Sequence, residues 1–431
     1  MKKKYSILLQ NVYLLYLIQL TGYALPLITI PYLTRVLGSQ NWGHLAIVQA
    51  YGAYIILIIE YGFRLSGVRQ IAILSNDNRK SSDIFSSIMG AKGLLSIFVI
   101  LITIVVQLLF PLLKETPSLL WMATIASIIQ GLNITWYFQG IERLRFISIV
   151  DIISRFFSTI LTFVFVRHPN DGIIVLLIQC ITSFASLIIS FIVVKKLIHI
   201  KVPSYKAVTD QLKSGFSLFI MTAAISLYTT SNALILGMFT NPVNVGYYAG
   251  AEKIYKAVIS LLNPINQVLY PKINKLMYQD TENGGKAAFH GIILISLVGL
   301  TMGTVLVIFA PTIINILLGA EFKDAVPILR IFGFLTLIVS VALGIGTQWM
   351  LPLGLDRQLN NITIGAGVLN IIVAVVFAKM FQEQGMAWTV IISEFFVVVS
   401  SAIYLFKMRL TPWHINNVVE VIRNKASKDF I

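Results

Sequence analysis

The sequence predicts an all-α fold, a polytopic membrane protein with about twelve transmembrane helices. Two observations lead to this prediction. Of the 431 residues, 57% are hydrophobic and only 12% are charged, about half the charged share of an ordinary soluble domain. The apolar residues also gather in runs of about 20 residues, the length that a helix needs to cross the hydrocarbon core of a bilayer.

Twelve such runs follow one another along the chain, bounded by charged residues. Their approximate limits are 10–33, 42–63, 84–110, 118–139, 147–166, 172–194, 215–239, 246–270, 291–318, 326–353, 362–378 and 385–406. A lysine-rich segment, 195–214, separates the first six runs from the last six. We therefore predict an N-terminal six-helix bundle (1–194), a cytoplasmic linker (195–214), a C-terminal six-helix bundle (215–406) and a cytoplasmic tail (407–431).

The basic residues predict the orientation in the membrane. Most loop lysines and arginines fall on the side that carries both chain ends, and the other side has only Arg35, Lys114, Arg167, Lys323 and Lys379. Because cytoplasmic loops are enriched in Lys and Arg, both termini are expected in the cytoplasm. The net charge of +15 is accompanied by no nucleic-acid-binding motif. We therefore exclude nucleic acid as a partner and expect anionic membrane lipids instead.

The eighth run carries a polar stripe, formed by Lys253, Lys256, Ser260, Asn263 and Gln267. Steps of three and four residues place these side chains on one face of a helix. Ionisable groups at membrane depth cost about 2.5–3.5 kcal/mol each on insertion scales, so they usually face a watery cavity or a partner. The stripe predicts the wall of a cationic cavity for an anionic substrate. Two alternatives stay open: the lysines could snorkel to the interface, and Glu252 could pair with Lys256.

Three further cations fall within the predicted runs, namely Lys92, Arg155 and Arg330. Lys92 shares a helical face with polar residues of the third run, and Arg155 lies one turn after Asp151. Lys92 and Arg155 are candidates for the cavity wall, although Asp151 could instead pair with Arg155. For Arg330, near the end of its run, snorkelling is the simpler interpretation.

Acidic residues in or at the ends of runs are candidates for proton or sodium sites. They are Glu60, Asp151, Glu252 and Glu394. Each has a plainer alternative: Glu60 lies near the inner interface, Asp151 and Glu252 have ion-pair partners within one turn, and Glu394 could form a hydrogen bond between helices. The sequence shows no metal-ligand or phosphate-loop motif, and Cys180 is the single cysteine. No metal site and no cofactor are expected.

A short internal similarity links the two halves of the chain. Residues 33–49 join the first two runs, and residues 234–252 join the seventh and eighth. Aligning Gly43 with Gly246 also aligns Ala46 with Ala249. Internal duplication of this kind is common in transporters, so the similarity suggests an internal repeat.

Three segments resemble the Wzx-type polysaccharide (O-antigen) flippases of the multidrug/oligosaccharidyl-lipid/polysaccharide exporter superfamily. They are LPLITIPYLTRVLGSQNWG (25–43), EYGFRLSGVRQIA (60–72) and NVGYYAGAEKI (244–254). The first is similar to the family's first span and the turn into the second. The second segment is similar to the inner end of the second span and brings in Arg64 and Arg69. The third is similar to the family's entry into span eight.

The resemblance implies two six-helix lobes around a central cavity that opens alternately to each side of the bacterial inner membrane. Its implied cargo is an undecaprenyl-diphosphate-linked oligosaccharide, moved from the inner to the outer leaflet. The acidic residues named above suggest an ion gradient as the energy source. The intramembrane cations, with Arg64 and Arg69, would then receive the diphosphate. Gln49, Asn133, Asn263 and Gln267 would bind sugar hydroxyls. Other polysaccharide-assembly proteins are the implied protein partners.

Two rival functions follow from the same sequence. A multidrug exporter of the same superfamily would favour acidic residues in its cavity, whereas the charges within these runs are mostly basic. A membrane-embedded glycan polymerase would need a sizeable outer loop, and the predicted outer loops are short. The expectation is therefore a transporter and not an enzyme.

Overall fold

The computed structural model describes residues 2–74 and 77–411, with side chains except those of 2–21, 23, 24, 26, 144, 224, 225 and 227–229. Over these residues the secondary structure is helical and contains no strand. The predicted all-α fold is confirmed. Most of the predicted tail, residues 412–431, lies outside the described part of the chain.

The chain forms two compact units, Met1–Gly246 and Tyr247–Ile431. The helices that begin in the first unit are α1 (Lys2–Glu60), α2 (Phe63–Leu74), α3 (Asn78–Leu109), α4 (Pro111–Glu115), α5 (Pro117–Gly131), α6 (Thr135–Gly140), α7 (Leu144–Phe165), α8 (Gly172–Leu197), α9 (Tyr205–Thr230), α10 (Asn232–Phe239) and α11 (Pro242–Ser260). The second unit continues with α12 (Leu262–Gln279), α13 (Thr281–Leu317), α14 (Ala325–Leu343) and α15 (Asp356–Lys407). A short 3₁₀ helix (Ala320–Phe322) precedes α14, and a π-helix (Gly344–Met350) follows it.

Two helices are too long for a single crossing of the membrane. At 1.5 Å per residue, α1 and α15 would be about 80–90 Å long, against a hydrocarbon core of about 30 Å. Each contains a non-helical residue, Gly38 (φ 72°) in α1 and Gln382 (φ 51°) in α15. Each therefore divides into two successive predicted spans.

Eight stretches of the described chain are long and apolar enough to cross a membrane. They begin at Leu27, Asn78, Pro117, Arg145, Gly172, Thr281, Ala325 and Asp356. The predicted seventh and eighth spans are helical too, as α9–α10 and α11–α12, but they do not belong to these eight. In the eighth span the reason is its charge, because Glu252, Lys253 and Lys256 lie within one turn. The multi-pass architecture is confirmed, and the count of twelve stays a prediction.

The predicted linker lies inside the first unit. The segment between α8 and α9 runs along α3, where the Ser82 hydroxyl donates to the carbonyl of His199 and the Lys201 amide donates to Ser86 Oγ (3.1 Å). A Cβ added to Gly90 would lie 2.7 Å from Pro203 Cγ. Because α9 packs on α3 in this way, the compact unit extends one span beyond the predicted N-terminal bundle.

Gly43 and Gly246, the two positions aligned by the internal similarity, lie against each other. A Cβ added to Gly43 would overlap the carbonyl oxygen of Pro242, and one added to Gly246 would overlap the carbonyl oxygen of Ser39. The start of α11 and the part of α1 after its break are therefore in backbone contact, which only glycine permits. The internal repeat itself stays a prediction.

Candidate functional site

Lys92 is buried in the first unit and bonded to the backbone. Its side chain is 2% exposed, and Nζ donates to the carbonyls of Gly131 (2.8 Å) and Asn133 (2.9 Å). These carbonyls end α5 and the turn after it, where helices leave acceptors without intrahelical partners and carry partial negative charge. The ammonium therefore stabilises a helix end, and its predicted contact with substrate is not needed to explain its burial.

Asn133 has a second role at the same place. Its Oδ1 accepts hydrogen bonds from the Thr135 amide (2.6 Å) and from the Thr135 hydroxyl. The side chain thus forms an Asx turn that leads into α6. This arrangement does not test the predicted role of Asn133 in binding sugar hydroxyls.

The polar stripe is interrupted in the middle. Helix α11 ends at Ser260 and α12 begins at Leu262, so the two lysines and the two amides lie on different helices. Ser260 donates back to the carbonyl of Ala257 (2.6 Å). On α12, Asn263 is half-buried and Gln267 is exposed. The spacing of the stripe is therefore not that of one continuous helix.

The cations of the stripe differ in exposure. Lys256 Nζ lies 3.1 Å from Glu252 Oε1, with side-chain exposures of 49% and 15%, so the ion pair left open by the sequence is present. Lys253 is half-buried, and the Tyr248 hydroxyl lies 3.5 Å from Glu252 Oε1. Two cations and one carboxylate leave this turn of α11 with a net positive charge.

Arg155 and Asp151 form the other ion pair left open by the sequence. Arg155 Nε lies 3.0 Å from Asp151 Oδ2 on α7, and the two side chains are 45% and 33% exposed. The guanidinium also approaches α1, because a Cβ added to Gly22 would lie 3.3 Å from Nη1. Because Gly22 has no side chain, Arg155 has room to approach α1 here.

The remaining predicted cations are exposed. Arg64 and Arg69 lie on α2, and Arg330 lies on α14. Directly after Arg69, Gln70 exchanges hydrogen bonds with Gln211 of α9 (3.1 and 3.0 Å). This pair fixes α2 while both guanidinium groups stay accessible.

Among the acidic candidates, Glu394 is distinguished by its surroundings. It is half-buried in the second half of α15, next to Ser393, whose Oγ accepts from Asn370 Nδ2 (3.1 Å). Glu60 lies at the end of α1 within electrostatic range of Lys92. Among the described residues, no three His, Cys, Asp or Glu side chains group as a metal site would require.

A cavity of about 190 Å³ lies in the first unit between α1, α5 and α8. Each of these helices contributes one glutamine, respectively Gln49, Gln130 and Gln179. Gln49 was predicted from the sequence as a polar lining residue. Sequence reasoning did not single out Gln179, since nothing along the chain shows that α8 turns this side chain toward the other two.

A second polar pair, missed by sequence reasoning, lies in the second unit. Gln348 of the π-helix is fully buried, and its Nε2 donates to Asn266 Oδ1 of α12 (2.8 Å). Trp349 Nε1 donates to the carbonyl of Leu410 (2.8 Å). The glycines at 344 and 346 and Pro352 were the signal in the sequence, and π-helical turns often occur at functional sites.

Comparisons with known proteins point to one family. The family described as "Polysaccharide biosynthesis protein" matches residues 8–277. A protein of Escherichia coli (strain K12) named "Putative O-antigen transporter" is 31% identical over 402 residues, which cover 92% of this chain and 96% of that protein. A protein of the same name from Shigella dysenteriae is 30% identical over 395 residues, covering 90% and 98%.

The fold also matches a solved structure. A protein described as "Lipid II flippase MurJ, inward closed conformation" superimposes with a TM-score of 0.70 over 96% of this chain and 90% of its own. Because only 13% of the residues are identical, this likeness shows a shared fold and nothing about the cargo.

Proposed function

Because this chain belongs to the polysaccharide biosynthesis protein family, we propose that it moves an undecaprenyl-diphosphate-linked oligosaccharide from the inner to the outer leaflet of the bacterial inner membrane. The membership confirms the resemblance to Wzx-type flippases. The chain is a multi-pass membrane transporter and not an enzyme, and we propose that its class is that of lipid-linked oligosaccharide flippases. The polyprenyl diphosphate, the direction and the energy source are proposed as well.

One observation supports the diphosphate most directly, the excess of positive charge on α11. A diphosphate cannot enter hydrocarbon without compensation, because an unpaired buried charge is prohibitively costly. Lys256 is half exposed although it pairs with Glu252, so its ammonium can exchange a carboxylate for a phosphate. Lysine suits this exchange because its charge is compact and its stem is flexible.

We propose Glu394 as the first candidate for coupling to an ion gradient. It is a half-buried carboxyl in a predicted span, and among the described residues no basic side chain pairs with it. Intramembrane carboxyls in transporters commonly carry protons or coordinate sodium. Asp151 and Glu252, by contrast, already have cationic partners.

The mechanism proposed is alternating access, with both termini in the cytoplasm. A reporter fused at Asn241 is expected to give an outside location. Arg64 and Arg69 would receive the headgroup on the cytoplasmic side, since both are exposed on α2. Other polysaccharide-assembly proteins would take up the glycan at the outer leaflet.

The experiment replaces Lys253 and Lys256 together with alanine in cells that lack the native gene. Surface glycan should be lost, lipid-linked glycan should accumulate in the inner leaflet, and the variant should stay inserted at the normal level. Lys323→Ala is the matched control, because this lysine is exposed between the 3₁₀ helix and α14. Normal glycan display in the double variant would refute the cationic role. Loss of cationic-drug resistance on gene deletion, with glycan unchanged, would favour the multidrug exporter.

A further inference from the structure

The cavity between α1, α5 and α8 is lined by polar side chains that lie within predicted membrane spans. Gln130 and Gln179 are half-buried in predicted spans, and Ser127 is 6% exposed. The carboxamides of Gln130 and Gln179 and the hydroxyl of Ser127 form no hydrogen bond with any described residue. A buried polar group without a partner costs roughly 1–3 kcal/mol. Gln130 and Gln179 are only partly buried, so their carboxamides stay available to bind a polar occupant of the cavity.

The chemistry of the wall restricts that occupant to a neutral one. None of the residues that line the cavity is charged, so the wall offers no opposite charge to compensate a phosphate, a carboxylate or a cation. Each carboxamide supplies donors and an acceptor, which together match adjacent hydroxyls on one ring. Ile56 and Leu176 supply an apolar wall, which suits the C–H face of a pyranose.

The size of the cavity restricts the occupant further. Its volume of about 190 Å³ equals that of about six water molecules in the liquid. This volume matches one sugar ring, so the cavity would hold one residue of an oligosaccharide at a time. The space exists because the lining between the glutamines is small, and Gly52 contacts Ser127 so closely that an added Cβ would overlap its hydroxyl.

We propose that this cavity binds one neutral sugar residue of the transported glycan through Gln130 and Gln179. The inference rests on the proposed function and extends it, since it separates sugar recognition from the cations that receive the diphosphate. The sugar would exchange its water for carboxamide contacts of similar strength, which lowers the cost of bringing hydroxyl groups to membrane depth.

The test compares two probes in liposomes that contain the full-length protein. One probe is undecaprenyl diphosphate without sugar. The other is the lipid-linked repeat unit extracted from cells that lack this gene and therefore accumulate it. The variant is Gln130→Leu combined with Gln179→Leu, which keeps side-chain size and removes the hydrogen bonds. The matched control is Gln107→Leu, whose carboxamide accepts from Trp121 Nε1 (2.9 Å) away from the cavity.

We expect the double variant to move the glycan-bearing probe about ten-fold or more slowly, the effect of losing two or more net hydrogen bonds, and the bare diphosphate at the rate of the wild type. Equal rates for the glycan-bearing probe in variant and wild type would overturn the inference. Equal slowing of both probes would also overturn it, because the cavity would then serve the fold. A wild type that moves neither probe would refute the proposed function instead.

A thiol reporter gives an independent measurement without disturbing the glutamines. Cys180, next to Gln179, is first replaced with alanine, and Ser127→Cys is introduced. A water-soluble, uncharged thiol reagent should modify this cysteine, and the glycan-bearing probe should slow the reaction more than the bare diphosphate does. A cysteine that the reagent does not reach, or that both probes protect equally, would contradict a sugar site here.

Discussion

Gln130 and Gly131 are neighbours at the end of α5, yet only one of them has its polar group bonded to another part of the protein. The carbonyl of Gly131 accepts from Lys92, whose ammonium is thereby committed to the fold. The carboxamide of Gln130 faces the cavity and forms no such bond with the described residues. The charged group, which attracts attention in a sequence, is the one whose hydrogen-bonding capacity is used.

The contrast shows why charge alone does not identify a transport site. A cation buried in a bilayer needs acceptors, and the fold itself can supply them from the last carbonyls of a helix. A neutral amide costs less to place at membrane depth and can keep its capacity for a passing ligand. The useful question about each polar side chain is what remains unbonded after folding.

The largest expected effect comes from Lys92→Met. Methionine keeps an unbranched side chain, but the carbonyls of Gly131 and Asn133 lose their donor, which should destabilise the protein by roughly 3 kcal/mol. Thermal unfolding of the purified protein in detergent measures this loss. The Gln130→Leu, Gln179→Leu variant should keep the stability of the wild type. A Lys92→Met protein that is stable but inactive would reverse the comparison and place this cation in the substrate path.

A smaller effect is expected from Gln348→Leu, which compares one glutamine with another. Unlike Gln130, Gln348 is fully buried and bonded to Asn266. Its Oε1 has no partner among the described residues, so leucine removes one hydrogen bond but also one unsatisfied acceptor. The net loss should be about 1 kcal/mol, measured by the same thermal unfolding. Asn266→Leu is the matched control and should cost more, because it leaves the Gln348 amide without any partner.

Sequence reasoning succeeded where the physical cause is local. The apolar runs coincide with helices, because span length and hydrophobicity are properties of short segments. The ion pairs Asp151–Arg155 and Glu252–Lys256 were open alternatives because residues four apart meet on a helix. The structure contains both.

Sequence reasoning failed where the cause is tertiary. The acceptors of Lys92 lie 39 and 41 residues away, and no periodicity indicates which helix end a lysine will reach. The three glutamines come from three helices, so the cavity exists only after α1, α5 and α8 pack. The break of the polar stripe at Leu261 does have a sequence signal, because Pro264 cannot donate to the carbonyl of Ser260 and its ring crowds that carbonyl; a kink at Pro264 was an open alternative from the sequence. The roles of the candidate site residues therefore stay predictions, and the structure adds only where each side chain lies.

The exposed ion pair on α7 should matter less to stability than either buried group. Arg155 and Asp151 are 45% and 33% exposed; because we predict that they face a watery cavity and not lipid, the pair should contribute about 0–1 kcal/mol, as a pair exposed to water does. Asp151→Asn should therefore change the thermal unfolding temperature little. Asp83→Asn, which weakens the exposed pair with Lys201, is the matched control outside the predicted spans. A stability loss as large as that of Lys92→Met would show that the pair is committed to the fold despite its exposure.

The smallest effect is expected at Asp77, a partly exposed group whose carboxylate nevertheless accepts hydrogen bonds. Its Oδ1 accepts from the amides of Lys80 (3.1 Å) and Arg79 (3.0 Å) at the start of α3. These hydrogen bonds, that of Lys80 foremost, lower the pKa of the carboxyl below its ordinary value of 3.8. Because the pKa is lower in the folded protein, the contribution to stability is present above about pH 4 and is lost as the pH falls through the folded value.

Asp77→Asn isolates this contribution from the rest of the molecule. An asparagine oxygen can still accept at the helix start, so the variant should unfold near the wild-type temperature at pH 7. Below pH 4 the difference between wild type and variant should shrink further, since the wild-type carboxyl becomes neutral as well. Thermal unfolding of both proteins between pH 3 and pH 7 measures this. A difference that grows toward low pH would mean that the charge of Asp77 opposes the fold, contrary to the hydrogen bonds that it accepts.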